Sequence, residues 1–488
     1  MSVFKKLFQQ TFIYGLATVL PRAIGFILVP LFTSVLKNNE YGVYASLMGY
    51  LILGNVLLSY GMETAFFRFV NKHKDQKAAI QSTTLTSLTI STLIFIGVAI
   101  LCRDSLANLL DYRTDFITYG LLILGLDALA VLPFVWYRAN ERPLRYATIK
   151  IINVLINLLL NIFFLVWLPK LALETGIWRT IYVPNHQIAY IFIANLIASA
   201  ITLGLLSPLY AKIRFGFDAT IWKGMMKYAL PVLVAGLAFT INEALDKILL
   251  RYLLPDDIAD SQTGIYSACY KIGVFMALFG TAFRLGIEPF FFNHASAKNA
   301  QNTYAQITLY FSIFGSIILL AVIAFQDNIK RLLIPDSSYW EGIEIVPIIL
   351  LANLCLGLYH NLSVWYKITD RTKFGAYISV VGAVITIAIN IIFIPLYGYM
   401  ASAVATLMAY ATMMVLSYSF GRKYYKVPYN LKKILGYVLT ATLFSAISFY
   451  GFRQNLAVGI GLLVLFIGLV YWQEQKQLKR IFAESKST

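Results

Sequence analysis

The sequence predicts an all-α polytopic membrane protein with about 14 transmembrane helices. Three observations predict it. Of 488 residues 59% are hydrophobic and only 13% charged, whereas soluble proteins average roughly 45–50% apolar and about 25% charged. The apolar residues fall in continuous runs of membrane-spanning length, about 17–25 residues, separated by short basic loops. A set of residues recurs at fixed offsets in the two halves of the chain.

The runs place spans near 11–36, 41–62, 82–102, 116–137, 147–168, 187–208 and 228–250. A second series lies near 264–286, 304–325, 343–366, 374–394, 400–420, 433–451 and 455–472. Continuous rather than alternating apolarity selects helices over a barrel, since lipid admits only structures that pair their own backbone groups. The first run follows Lys5 and Lys6, is too long for a signal-peptide core and has no small-residue cleavage site behind it, so it is expected to be retained.

The net charge of +17 would suggest nucleic acid in a soluble chain; here it follows membrane topology. With a cytoplasmic N-terminus, 27 of the 40 Lys and Arg fall on the inside, nine outside and four within spans. This excess sets both termini inside an inner (cytoplasmic) membrane, and no nucleic-acid partner is expected. Cys102, Cys269 and Cys355 have neither metal-ligand spacing nor an even count, and His73, His186, His294 and His360 are scattered. Neither a metal nor any other cofactor is expected. No phosphate-binding loop sequence occurs, so energy would come from an ion gradient, the membrane potential or the substrate gradient.

Trp136-Tyr137-Arg138, Arg142 and Asn161 return as Trp365-Tyr366-Lys367, Arg371 and Asn390, every pair separated by the same offset. Gly61, Glu63, Phe66 and Phe67 return as Gly286, Glu288, Phe291 and Phe292 with one offset of their own, and Gly42 and Tyr44 return as Gly264 and Tyr266 with another. A duplicated unit of six spans predicts two pseudo-twofold-related lobes. The expected organisation is 1–210 for the N-terminal lobe, 211–425 for the C-terminal lobe, and 426–488 for two additional helices and a cytoplasmic tail. Such repeats enclose a cavity near mid-depth and work by alternating access.

Ionisable groups inside spans cost about 2.5–3.5 kcal/mol each at the helix centre and therefore mark functional positions. Arg22, Lys271 and Arg284 are the candidate cationic groups for an anionic cargo. Their structural alternatives are carbonyl capping beside Pro21, snorkelling, and a topology charge. Asp127, mid-depth in the fourth span with no cation one turn away, and Glu243 are candidates for ion coupling. Glu243 and Lys247 also have the spacing of a helix ion pair. Glu63 and Glu288 are candidate gate residues, with Arg68 and Arg284 as expected partners. Asn153, Asn157 and Asn161 share one helix face and read as interhelical glue or a path lining.

The 14-span pattern, the opening helix with Tyr14-Gly15 and Pro21-Arg22, the Glu40-Tyr41-Gly42-Val43-Tyr44 turn, and the region from Arg371 to Asn390 ending in Pro395-Leu396-Tyr397-Gly398 carry a resemblance over essentially the whole chain. The chain resembles the polysaccharide transporter family, the Wzx-type O-antigen and capsule flippases of the multidrug/oligosaccharidyl-lipid/polysaccharide exporter superfamily. The resemblance implies a non-enzymatic, monomeric flippase that moves undecaprenyl-diphosphate-linked oligosaccharide between leaflets. It also implies membrane lipids, a glycan polymerase and export machinery as partners. Within the same superfamily the competing readings are a lipid II flippase and a cation-coupled multidrug exporter. A membrane glycosyltransferase or polymerase would need a substantial outside loop with catalytic groups, and the outside connections here are short.

Overall fold

A computed structural model describes residues 25–174, 176–213, 215–293, 299–453 and 455–485, without the side chains at 174, 288–290, 292–293 and 476–485. The chain begins with α1 (Gly25–Val35), α2 (Asn38–Ser59), α3 (Met62–Lys72), α4 (Lys77–Leu101), α5 (Arg103–Leu110) and α6 (Thr114–Ala139). It continues through α7 (Pro143–Ile162), α8 (Leu168–Glu174), α9 (Gly176–Ile181), α10 (Gln187–Tyr210), α11 (Ala219–Leu253) and α12 (Asp256–Asn293). Then come α13 (Ala300–Ala324), α14 (Gln326–Leu333), α15 (Val346–Leu362) and α16 (Val364–Ile368). The last four are α17 (Lys373–Tyr397), α18 (Tyr399–Tyr424), α19 (Leu431–Ala446) and α20 (Leu456–Ser485).

Among the described residues, 13 helical segments are long and apolar enough to cross a membrane. They coincide with the second to fourteenth expected spans. Of the first span, only the part from Gly25 onward is described, as the apolar α1. The protein is therefore a multi-pass membrane protein.

Backbone contacts divide the chain into two compact units, Met1–Ser267 with Gly375–Ser402, and Ala268–Phe374 with Ala403–Thr488. In the first unit α2 packs along α11, and α10 along α6 and α7. Met62, Phe66, Ile80, Leu85, Leu132 and Met225 form a buried core beneath α3. The second span breaks before α3 because Tyr60 and Gly61 take left-handed φ values of 31° and 72°. A methyl group on Gly61 would lie 2.4 Å from the carbonyl oxygen of Ala229. Glycine alone satisfies both the sign of φ and this close approach, and the break sets the direction of Glu63 on α3.

Several buried polar side chains of this unit are tied to one another by hydrogen bonds, which offset their removal from water. Asp246 on α11, only 2% exposed, accepts from Tyr266 Oη at 2.6 Å and from Lys247 Nζ at 2.9 Å. Thr386 Oγ1 donates to Asn242 Oδ1 at 2.7 Å, and Ser402 Oγ donates to Asn390 Oδ1 at 2.7 Å. Asn390 therefore acts as glue within this unit.

In the second unit α13 packs against α15, α19 and α20. Lys433 Nζ and Tyr437 Oη both donate to Glu474 Oε1, at 2.7 and 2.6 Å, which ties α19 to α20.

The repeat is visible in local backbone geometry, copy by copy. Glu141 and Asp370, which share the offset of the Trp-Tyr pairs, end their helices with left-handed φ values of 51° and 55°. The amide of Arg142 donates to Tyr137 O at 2.9 Å, and that of Arg371 to Tyr366 O at 2.8 Å. Trp136 meets Tyr137 edge-on at 5.5 Å and 77°, and Trp365 meets Tyr366 at 5.5 Å and 82°. The two turns carry the same hydrogen bonds because the same residue types terminate the same kind of helix.

Candidate transport site

The first unit contains a cavity of about 420 Å³ among α2, α3, α6, α7 and α10. Its polar groups come from four sides. Asn55 and Ser59 project from α2, Asp127 from α6, Lys150 and Asn153 from α7, and Asn195, Ser199 and Thr202 from α10. Val131, Phe134 and Val135 form its apolar wall on α6. Asp127 stands about three turns from the end of α6, a depth of about 18 Å at about 1.5 Å per residue.

Ser199 Oγ donates to Asp127 Oδ1 at 2.8 Å, and Asn153 Nδ2 donates to Thr202 Oγ1 at 2.9 Å. The Lys150 ammonium lies 4.2 Å from the centroid of the Phe134 ring and within electrostatic reach of Asp127. At the mouth, Arg138 Nη1 contacts Glu63 Oε1 at 2.6 Å, with both side chains about half-exposed. Arg138 takes the position expected of Arg68, whose guanidinium instead lies 4.3 Å from the Tyr228 ring centroid. The cause is geometric. The break at Gly61 turns Glu63 toward the end of α6, and Arg68, one helical turn and more beyond on α3, presents to α11.

The second unit holds a narrow pocket between α12, α15 and α16. Arg284, His360, Asn361 and Lys367 line it, with Gly280 and Gly357 leaving room at its base. Arg284 Nη1 lies 3.4 Å from His360 Nε2 and donates to it, since guanidinium has no acceptor. Both Arg284 and Lys367 bear electrostatically on His360.

The expected site residues are thus distributed as follows. Asp127 and Glu63 meet in the first cavity, and Arg284 lines the second pocket. Lys271 is on α12 and Glu243 on α11; Lys247 donates to the Glu243 carbonyl at 3.2 Å as well as to Asp246. Glu288 lies on α12 with its side chain outside the described set, and Arg22 lies outside the described residues. Charge counting along the sequence groups Lys150 and Lys367 with the cytoplasmic topology charges. The structure places Lys150 two turns into α7, and the spacing of Lys150, Asn153 and Asn157 on one helix face is the signal that points to it.

Comparisons with known proteins agree with this architecture. Residues 7–283 match the family model described as polysaccharide biosynthesis protein, and residues 231–392 match the MatE model. No curated protein matches the chain. Among solved structures, the lipid II flippase MurJ in an inward closed conformation superposes with a TM-score of 0.72 at 15% identity, covering 94% of this chain and 99% of that one. An inward-facing multidrug resistance MATE family transporter gives 0.62 at 12% identity, covering 87% and 94%. A transporter of the same superfamily from Pyrococcus furiosus, described by a binding pocket of reverse polarity, gives 0.57 at 13%, covering 86% and 94%. At such identities the structures establish a shared fold. The matched model spans more than half of the chain, and the protein belongs to the polysaccharide biosynthesis protein family.

Proposed function

We propose that the protein is a flippase that carries undecaprenyl-diphosphate-linked oligosaccharide from the inner to the outer leaflet of the bacterial cytoplasmic membrane by alternating access. The observation that carries this reading is the pairing of two cations, Arg284 and Lys367, beside His360 and Asn361 in a pocket of about 10 Å³, room for one water, which must widen during the transport cycle to receive a phosphate. A diphosphate entering a bilayer loses hydration that fixed cations must replace. Guanidinium offers paired charge-assisted hydrogen bonds to phosphate oxygens and ammonium a compact point charge. Asn361 adds a neutral amide beside them. Arg22 and Lys271 are further members of the cationic set in this reading, and the lipid tail stays in the bilayer.

The glycan polymerase and export machinery act on the delivered product, and both termini are cytoplasmic. Deleting the gene and following surface glycan together with lipid-linked precursors tests the proposal. The expected result is loss of the polymer with the precursor retained in the inner leaflet. Accumulation of lipid II with cell lysis, or normal surface glycan, would overturn it.

A further inference from the structure

The cavity of the first unit differs in chemistry from the cationic pocket. Its two internal charges, Asp127 and Lys150, oppose each other, and the charge of Glu63 at its mouth is matched by Arg138 at 2.6 Å. An anionic group gains little there. An apolar cargo fares no better, because amides, hydroxyls and a carboxylate reach in from α2, α6, α7 and α10. What such a lining does match is a neutral group that both donates and accepts hydrogen bonds in several directions while offering one C–H face to the partly buried Val131. At about 420 Å³, the cavity is at the lower end of the range for small-molecule pockets, about 300–1,000 Å³.

We propose that this cavity is a binding subsite for one neutral sugar residue of the cargo, with Asp127 and Asn153 as hydroxyl partners, Lys150, held over the Phe134 ring, as a donor, and Val131 against the sugar's C–H face. The assignment rests on the reading of the protein as a glycan carrier and names the part of the glycan that this unit receives. Asp127 accepts from Ser199 and from Asn55, and of its roughly four lone-pair sites it keeps the rest for a ligand hydroxyl. Asn153 donates to Thr202 and retains its carbonyl oxygen and its second N–H.

The test uses the purified full-length protein and saturation-transfer NMR with glucose, galactose, N-acetylglucosamine and N-acetylgalactosamine, each without phosphate or lipid. At least one is expected to bind with millimolar affinity. Asn153→Ala and Lys150→Gln are each expected to weaken that binding about fivefold to tenfold, the loss for one buried hydrogen-bonding partner. As a measurement independent of how those variants fold, a Ser59→Cys protein lacking exposed Cys102 is expected to be protected from thiol reagents by the bound sugar. No saturation transfer from any of the four sugars would overturn the proposal. So would equal binding by a folded Asn153→Ala variant, or protection of Ser59→Cys by Na⁺ and by no sugar. Because the probes carry no diphosphate, this result and the precursor assay can fail separately.

Discussion

Gly42 on α2 and Gly264 on α12 lie against each other backbone to backbone. A methyl group on Gly42 would sit 1.8 Å from the carbonyl oxygen of Asp260, and one on Gly264 would sit 1.9 Å from that of Asn38. Each glycine thus packs on the carbonyl one helical turn before the other, so the contact is reciprocal. These two glycines are also one of the pairs that recur between the halves of the sequence. Replacing either by alanine forces two helix backbones apart. Overpacking of this kind costs about 1–3 kcal/mol, read as a lowered Tm of the purified protein. Once one alanine has separated the helices the second meets less resistance, so the double variant is expected to lose less than the two single losses combined. Additive losses would contradict a shared contact.

Asp246 gives a sharper stability prediction. It is 2% exposed and accepts from both Lys247 and Tyr266. Asp246→Ala takes the carboxylate from a largely buried ammonium, which keeps only its bond to the Glu243 carbonyl and its other neutral contacts, and from the Tyr266 hydroxyl, and is expected to cost up to about 3–5 kcal/mol, enough to remove most folded protein in a detergent-extraction assay. Asp246→Asn keeps an acceptor for Tyr266 and is expected to retain more. Wild-type yields for the alanine variant would reject the pairing.

The repeat-related turns predict a gain rather than a loss. Glu141 and Asp370 are exposed and hold φ at 51° and 55°, where a side chain is strained by roughly 1–2 kcal/mol and glycine is not. Glycine also raises the entropy of the unfolded chain, so Asp370→Gly is expected to stabilise by at most about 1 kcal/mol, seen as a small rise in Tm. A fall in Tm would mean that the acidic side chain contributes more than its backbone strain costs.

Much of the fold is legible in the sequence because hydrophobic runs of membrane length are a strong signal. The helix at Gln187–Tyr210 answers the run at 187–208, and that at Leu456–Gln475 the run at 455–472. The duplication is legible because it preserves turn and packing residues such as Arg142 and Gly42. The site is less legible. Asp127 stands out as a carboxylate in an apolar run, but its neighbour Lys150 looks like one more basic residue near an inside loop, since charge counting ignores which helix face a residue occupies. The partner of Glu63 depends on the break at Gly61, a three-dimensional event that sets Arg138 rather than Arg68 beside it. The cluster joins Arg284 on α12 to His360 and Lys367 on α15 and α16, 76 residues further along from Arg284 to His360, a separation that no local spacing reveals.

The most direct test is transport by the purified protein in liposomes containing undecaprenyl-diphosphate-linked glycan, with the headgroup's leaflet read by an enzyme that cannot cross the bilayer. Transbilayer movement is expected with the wild-type protein. It should be abolished in a folded Arg284→Ala variant and partly retained in Arg284→Lys, which keeps the charge without the paired donors. Wild-type rates for Arg284→Ala, or no movement of the diphosphate-linked glycan by the intact protein, would contradict the account.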